Sequence, residues 1–264
     1  MTSARRPAVL MVGCGHMGGA IASALVAEYP VMAFDPQANL PEGVERVEAL
    51  NASALPDDMI IIIAVKPQAF DGMAPDLKAM ARPGRLFLSI MAGIALPRLE
   101  AALGAGASIV RSMPNMPASI GHGMTAAMAS SVVSAEEREH VAHIIGKTGQ
   151  LIWIRNEADM DAITALSGSG PAFFYRFAEA LIHAGVEAGL SETVSAQLVR
   201  QTFVGAARLA ETRPTSLEHL REQVTSPGGT TAAGLDAMTA DAAVDILAQH
   251  VVDAAARRSR ELAA

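Results

Sequence analysis

The chain has 264 residues, 51% of them hydrophobic, enough to bury one large core or two modest ones. Its net charge of -7, with basic residues scattered apart from Arg257, Arg258 and Arg260, repels phosphate backbones and argues against a nucleic-acid partner. A lone cysteine, Cys14, excludes an intrachain disulfide and a cysteine-built metal site and fits a reducing compartment, so a cytoplasmic location is expected.

In chain order, Arg5, Arg6 and the apolar run after Pro7 have the outline of a secretory signal, but Gly13, Gly15, Gly18 and Gly19 interrupt that run with a turn. Residues 8–12, 31–34, 59–65, 86–90 and 108–111 read as strands, separated by helical patterns, as a parallel α/β sheet requires. The run at 59–65 is apolar throughout instead of alternating, which is the behaviour of a central strand covered on both faces. It is also the longest apolar run and too short to span a bilayer, so no membrane partner is expected. Ser134 and Glu137 form a capping box that opens a helix running to Lys147 and closing at Gly149, and residues 150–154 read as a last short strand.

The glycine-rich start has the spacing G-x-G-x-x-G at Gly13, Gly15 and Gly18, directly after the first strand and before an alanine-rich helix over 20–27. Gly13 permits a tight turn, Gly15 lets backbone approach a pyrophosphate, and Gly18 permits close helix–strand packing, so a dinucleotide site is expected here. Cys14 and His16 occupy variable positions of this loop and are not expected to be catalysts. Asp35 ends the second strand, where a carboxylate accepts hydrogen bonds from ribose hydroxyls and repels a 2′-phosphate. No Lys or Arg occurs over 36–43 to neutralise such a phosphate, so of NADH and NADPH the first is favoured. Residues 36–41 look too loop-like for a helix.

Past about Glu157 no β-branched run recurs and Ala, Leu, Glu and Arg dominate at helical spacing, so this part should be all helix, with breaks at 167–170, Gly189, Pro214 and 227–229. The expected organisation is a dinucleotide-binding Rossmann-type domain over 1–156 and a helical domain over 157–264. Ala180, Ala184 and Ala188 line one helix face, which suits either intrachain packing or a subunit contact. His140 and His143 also share a face, but beside Glu136, Glu137 and Glu139 that face reads as solvated, and no metal site is expected.

The segment Val224-Thr225-Ser226-Pro227-Gly228-Gly229-Thr230-Thr231 places paired glycines between two helical stretches. Pro227 stops the first helix and Thr230 or Thr231 can cap the next. Backbone N–H groups left uncovered there suit a carboxylate or phosphate, although a plain helix–helix turn has the same composition. This segment resembles the C-terminal motif of the pyrroline-5-carboxylate reductases. So do Ala64-Val65-Lys66-Pro67, Met113-Pro114-Asn115-Met116-Pro117 and Ser167-Gly168-Ser169-Gly170-Pro171, and together with the glycine-rich start they span nearly the whole chain.

The resemblance implies an α/β fold, with an N-terminal Rossmann-type mostly parallel sheet and a C-terminal all-helical dimerisation domain. It implies hydride transfer from a nicotinamide cofactor to the cyclic imine of 1-pyrroline-5-carboxylate, giving proline, in a homodimer or a ring of dimers. Gly13, Gly15, His16, Met17, Gly18, Asp35, Asn51, Ala64, Lys66, Pro67, Ala92, Gly93 and Asn115 should then lie along the cofactor. Lys66 is equally readable as a solvated strand-end charge, and Asn115 as part of a rigid surface turn. Ser226, Gly228, Gly229, Thr230 and Thr231 should take the imino-acid carboxylate, with Thr231 meeting the ring nitrogen, and Glu211 matches an acidic residue near the substrate. Many members carry a small residue at position 35, so Asp35 is a departure. A protonated C=N is already electrophilic, and orientation should supply most of the acceleration. A related imine, hydroxy-acid or keto-acid reductase is the nearest alternative, but it should carry a lysine in the helical half, and no Lys follows Lys147. A nucleotide-sensing protein without catalysis is the other, although it has no need of residues 226–231.

Overall fold

The computed structural model describes residues 6–263; Arg5 of the signal-like start lies outside them. Two compact units are formed, one by Met1–Ser169 with Ala255–Ala264 and one by Gly170–Ala254.

The first unit is built on one eight-stranded sheet of β1 (Ala8–Val12), β2 (Val31–Phe34), β3 (Glu45–Arg46), β4 (Met59–Ile63), β5 (Arg85–Ser89), β6 (Ser108–Met113), β7 (Gly123–Ala129) and β8 (Gly149–Trp153). Their spatial order is β3-β2-β1-β4-β5-β6-β7-β8, and every pairing is parallel except β6 with β7. Strand order reverses between β1 and β4, which makes their carboxyl ends the crevice where open α/β sheets bind ligands.

The continuous apolar strands are central because both faces are covered. Val9, Met11, Ile60 and Ile62 join one core with Ile21 and Leu25 of α1 (His16–Leu25) and Val141, Ile144 and Ile145 of α4 (Ala135–Gly146). Leu10, Val12, Ile61 and Ile63 join the other with Leu77 of α2 (Phe70–Ala79) and Leu99 of α3 (Leu96–Leu103). Each fully buried side chain of this size contributes about 1.5–3 kcal/mol. β4 ends at Ile63, not at residue 65, and α1 begins at His16, directly on the glycine loop and earlier than the alanine run suggests. The capping box at α4 is present in full, with the Ser134 hydroxyl accepting from the Glu137 amide and the Glu137 carboxylate from that of Ser134.

Two strands have no counterpart in the sequence reading. β3 is two residues long, and β7, with the sequence Gly-Met-Thr-Ala-Ala-Met-Ala, lacks a β-branched run. The region over 36–44 contains no helix. The break expected at 167–170 is instead a widened helical turn: α5 (Asp159–Ile163) passes through a π-helical stretch, Thr164–Gly168, into α6 (Gly170–Glu187). A π turn adds a residue per turn without releasing the chain from helical geometry.

The second unit is helical throughout, comprising α6, α7 (Glu192–Thr212), α8 (Leu217–Gln223), α9 (Thr230–Thr239) and α10 (Ala243–Ala263) as far as Ala254. α6 and α7 pack together, with the Phe203 ring 6.3 Å from that of Phe174 and 6.4 Å from that of Tyr175. Among the described residues no helix is long and apolar enough to cross a membrane.

Candidate active site

At the crevice, the Gly13 amide donates to the Phe34 carbonyl at 2.9 Å and the Ala64 amide to the Val12 carbonyl at 2.8 Å, so three strand ends are stitched together. Gly13 has φ +92° and sits so close to β4 that an added β-carbon would lie 2.8 Å from the Ala64 carbonyl carbon and oxygen. A β-carbon on Gly18 would come 2.6 Å from the Gly13 carbonyl oxygen and 3.1 Å from the Ala64 methyl. Gly15 differs: among the described residues nothing beyond its own stretch of chain lies within 4 Å of that position, which faces open space. It is the N-cap of α1 and places no side chain over the helix end, so first-turn amides from His16 onward keep their donors. An exposed, uncapped N-terminus with room beside it fits the pyrophosphate of a dinucleotide. Cys14 is buried, and burial followed by the nearby Asp35 charge raises its thiol pKa, so it is a poor nucleophile.

Asp35 is held by three backbone donors. One carboxylate oxygen accepts from Cys14 at 2.8 Å, the other from Gln37 at 2.9 Å and Ala38 at 3.0 Å. Desolvation opposes its ionisation, but these bonds, with the Arg46 charge, outweigh it and hold its pKa below the ordinary aspartate value. The turn after β2 is therefore not free of basic groups: Arg46, at the end of β3, donates from Nη1 to the Asp35 carbonyl and from Nη2 to the Ala38 carbonyl at 2.8 Å. The segment 36–43 itself carries no base, and the cation is brought back to the turn by the neighbouring strand.

Around this edge, Lys66 is exposed just beyond β4, at the start of the short 3₁₀ turn Pro67–Ala69. Asn51 is exposed and accepts from the Ser53 amide at 3.1 Å. Its loop is fixed from below by buried Arg85, which donates to the carbonyls of Ala52 (3.0 Å), Leu55 (3.1 Å) and Pro56 (2.8 Å). After β5, Ala92 is exposed and Gly93 has φ +74°. The Asn115 side chain is fixed on both sides, accepting from the Met124 amide at 2.8 Å and donating to the carbonyl and hydroxyl of Ser167 at 3.2 and 3.3 Å. The stiff loop after β6 is thus tied to the π-helical turn.

In the second unit, α8 gives way to a loop in which Gly228 has φ +67° and the Gly229 amide donates to the Ser226 carbonyl at 3.0 Å. The N-cap of α9 is Gly229, with no side-chain cap; Thr230 and Thr231 are helical, so neither is the cap the sequence suggests. A glycine cap leaves the first-turn amides without an internal acceptor at the positive end of the helix dipole, which suits a small carboxylate. Ser226, Gly228, Thr230 and Thr231 are exposed. Glu211, near the end of α7, accepts from Arg208 at 2.7 Å on the same helix.

Residues 157–262 match the family described as pyrroline-5-carboxylate reductase dimerisation, and residues 8–93 match NADP oxidoreductase coenzyme F420-dependent. A pyrroline-5-carboxylate reductase of Pseudomonas aeruginosa is 35% identical over 97% of both chains. The chain belongs to the pyrroline-5-carboxylate reductase family. Among solved structures, the pyrroline-5-carboxylate reductase of Coxiella burnetii superposes with a TM-score of 0.90 at 30% identity, covering 98% of this chain and 99% of that one. The Plasmodium falciparum pyrroline carboxylate reductase with NADP bound gives 0.82 at 29% identity, over 98% and 99%.

In this family member, one charged pair escapes sequence reasoning altogether. Arg111 within β6 is buried and forms an ion pair with Glu157, whose other carboxylate oxygen accepts from the Leu96 amide at 3.4 Å. Asp161 adds a favourable charge to Arg111 and accepts from the Ser259 hydroxyl at 2.6 Å. The pair braces the strand leading into the Asn115 loop. Nothing in the local sequence marks it, because its members lie far apart along the chain.

Proposed function

We infer that the chain reduces the cyclic imine of 1-pyrroline-5-carboxylate to proline as an NAD(P)H-dependent oxidoreductase, the last step of proline biosynthesis. The observation that carries this is full-length similarity to the Pseudomonas aeruginosa reductase, joined to a glycine loop whose Gly13 and Gly18 are packed against Ala64 while Gly15 stays open. When bound, the reduced nicotinamide supplies the hydride that the imine carbon receives. The chain's part is to bind and orient. The Gly13–Gly18 loop with His16 and Met17 takes the pyrophosphate. Asp35 takes the ribose hydroxyls and favours NADH over NADPH. Asn51, Ala64, Lys66, Pro67, Ala92 and Gly93 form the remaining cofactor surface, and the immobilised Asn115 fixes the nicotinamide end.

The amides after Gly229, with Ser226, Gly228 and Thr230, hold the imino-acid carboxylate, and the Thr231 hydroxyl bonds the ring nitrogen. Glu211 is a further substrate contact. Restricting the substrate to one pose is worth most of the rate, since the protonated imine needs little further activation. Residues 157–264 serve as the dimerisation and substrate-binding part of a cytoplasmic homodimer, itself able to assemble into a ring of dimers. Phe174, Phe177, Leu181, Leu198 and Val204 expose large apolar surface on α6 and α7, as an interface requires. Purified protein given pyrroline-5-carboxylate with NADH or NADPH separately should consume the absorbance of the reduced nicotinamide, at about 1–1,000 turnovers per second. No turnover with either cofactor would refute the assignment.

A further inference from the structure

Asp35, the first residue after β2, and Arg46, the last of the adjacent β3, stand at the same end of the sheet, Arg46 paired in register with Ala33. The two side chains are held in different ways. Three backbone amides fix the Asp35 carboxylate, two on one oxygen and one on the other. Roughly four acceptor positions exist on a carboxylate, so about one remains to receive a ribose hydroxyl, while its charge stays in place. Arg46 is exposed, and its two bonds to the Asp35 and Ala38 carbonyls use two of about five guanidinium N–H donors. It sits at the end of a strand only two residues long, where a long side chain can turn its fork towards a ligand at the sheet edge. A planar cation with donors to spare, beside the position that meets the adenosine ribose, matches the bidentate geometry of a phosphate.

We propose that Arg46 holds the 2′-phosphate of NADPH and acts against Asp35, so that cofactor choice is set by this pair and not by the carboxylate alone. The proposal rests on the nucleotide-binding edge of the reductase reading and is independent of the imine substrate. A 2′-phosphate arriving at the turn meets repulsion from a carboxylate that its three amides prevent from swinging away. The guanidinium offsets that repulsion and adds charge-assisted bonds. NADH lacks the phosphate and gains nothing from Arg46.

Calorimetric titration of the full chain with 2′,5′-ADP and with 5′-AMP tests this without catalysis, because the two ligands differ only in the 2′-phosphate. Arg46→Gln stays polar but removes the charge and is too short to span both carbonyls, so 5′-AMP serves as the control for the turn; Arg46→Lys retains the charge but not the fork. Arg46→Gln should weaken 2′,5′-ADP about tenfold and leave 5′-AMP within about twofold, tenfold being the effect of about 1.4 kcal/mol. Arg46→Lys should fall between wild type and Arg46→Gln. Equal loss for both ligands would show that Arg46 only builds the turn, and unchanged affinity for both would show that it does not reach the phosphate; either overturns the proposal. If wild-type protein binds neither adenylate, the nucleotide-binding edge fails together with the role of Arg46.

Discussion

Gly13 lies against Ala64 so tightly that a β-carbon on the glycine would come within 2.8 Å of the Ala64 carbonyl group. The clash is with backbone at the end of the most buried strand, so neither partner has a side chain that can move aside. Gly13→Ala combines this overlap with a φ of +92°. The expected cost is at least about 2 kcal/mol of folding stability, measured by urea unfolding, with loss of dinucleotide binding by titration. Gly15→Ala, where among the described residues nothing beyond its own stretch of chain lies within 4 Å, should leave stability nearly unchanged while still weakening dinucleotide binding.

Asp35→Asn separates two roles of one carboxylate. The amide can replace one set of accepted bonds but presents N–H donors to the other, so one backbone amide loses its partner at about 1–3 kcal/mol. Removing the charge should raise the NADPH to NADH ratio of kcat/KM by about tenfold, equivalent to about 1.4 kcal/mol. An unchanged ratio in steady-state kinetics would remove Asp35 as a selector.

Thr231→Ala should lower kcat/KM by about 1–3 kcal/mol of transition-state stabilisation, from one hydrogen bond near charge. Because Gly229, not a threonine, caps α9, the same variant should unfold within about 0.5 kcal/mol of wild type. Wild-type turnover would take Thr231 out of the mechanism.

Glu157→Ala removes the ion-pair partner of Arg111, a residue only 5% exposed, and leaves the Asp161 charge as its compensation. Loss of one member of a fully buried pair costs about 3 kcal/mol, and because the Glu157 side chain is 28% exposed the expected cost is smaller, about 1–3 kcal/mol. Chemical denaturation should show that loss, and Glu157→Gln, which keeps an acceptor, should show less.

At the other end of the strands, Glu28 accepts from Lys147, from His143 at 3.0 Å and from Arg6 at 2.9 Å. The bonds from Lys147 and then His143 lower its pKa from 4.5 to about 2. A pKa lowered by folding stabilises the native state fully above about 4.5, and that contribution is lost as pH falls towards about 2. Urea midpoints measured across this range should fall less steeply in Glu28→Gln than in wild type. High salt should shrink the difference, because these groups are partly exposed.

Legibility from sequence followed the range of the interactions involved. The strand Met59–Ile63 could be read because covering both faces requires apolar residues at consecutive positions. The α4 capping box could be read because its partners are three residues apart. β7 could not: its Gly, Ala and Met residues carry no strand preference, and it is a strand because β6 and β8 supply partners on either side. Arg46 escaped for a related reason, since two residues of strand leave no alternation and its target turn lies eight to eleven residues back.

By itself, the sequence determined the glycine spacing, the apolar strands, the helical second half and the motifs that mark the family, all local patterns imposed by backbone sterics and burial. Only tertiary structure decided that Gly229 caps α9, that backbone amides occupy Asp35, that Arg46 returns to its turn and that Arg111 is buried against Glu157. Those outcomes depend on which backbone donors and distant charges arrive at one place, and hydrogen bonds and ion pairs act over a few ångströms of space whatever their separation along the chain.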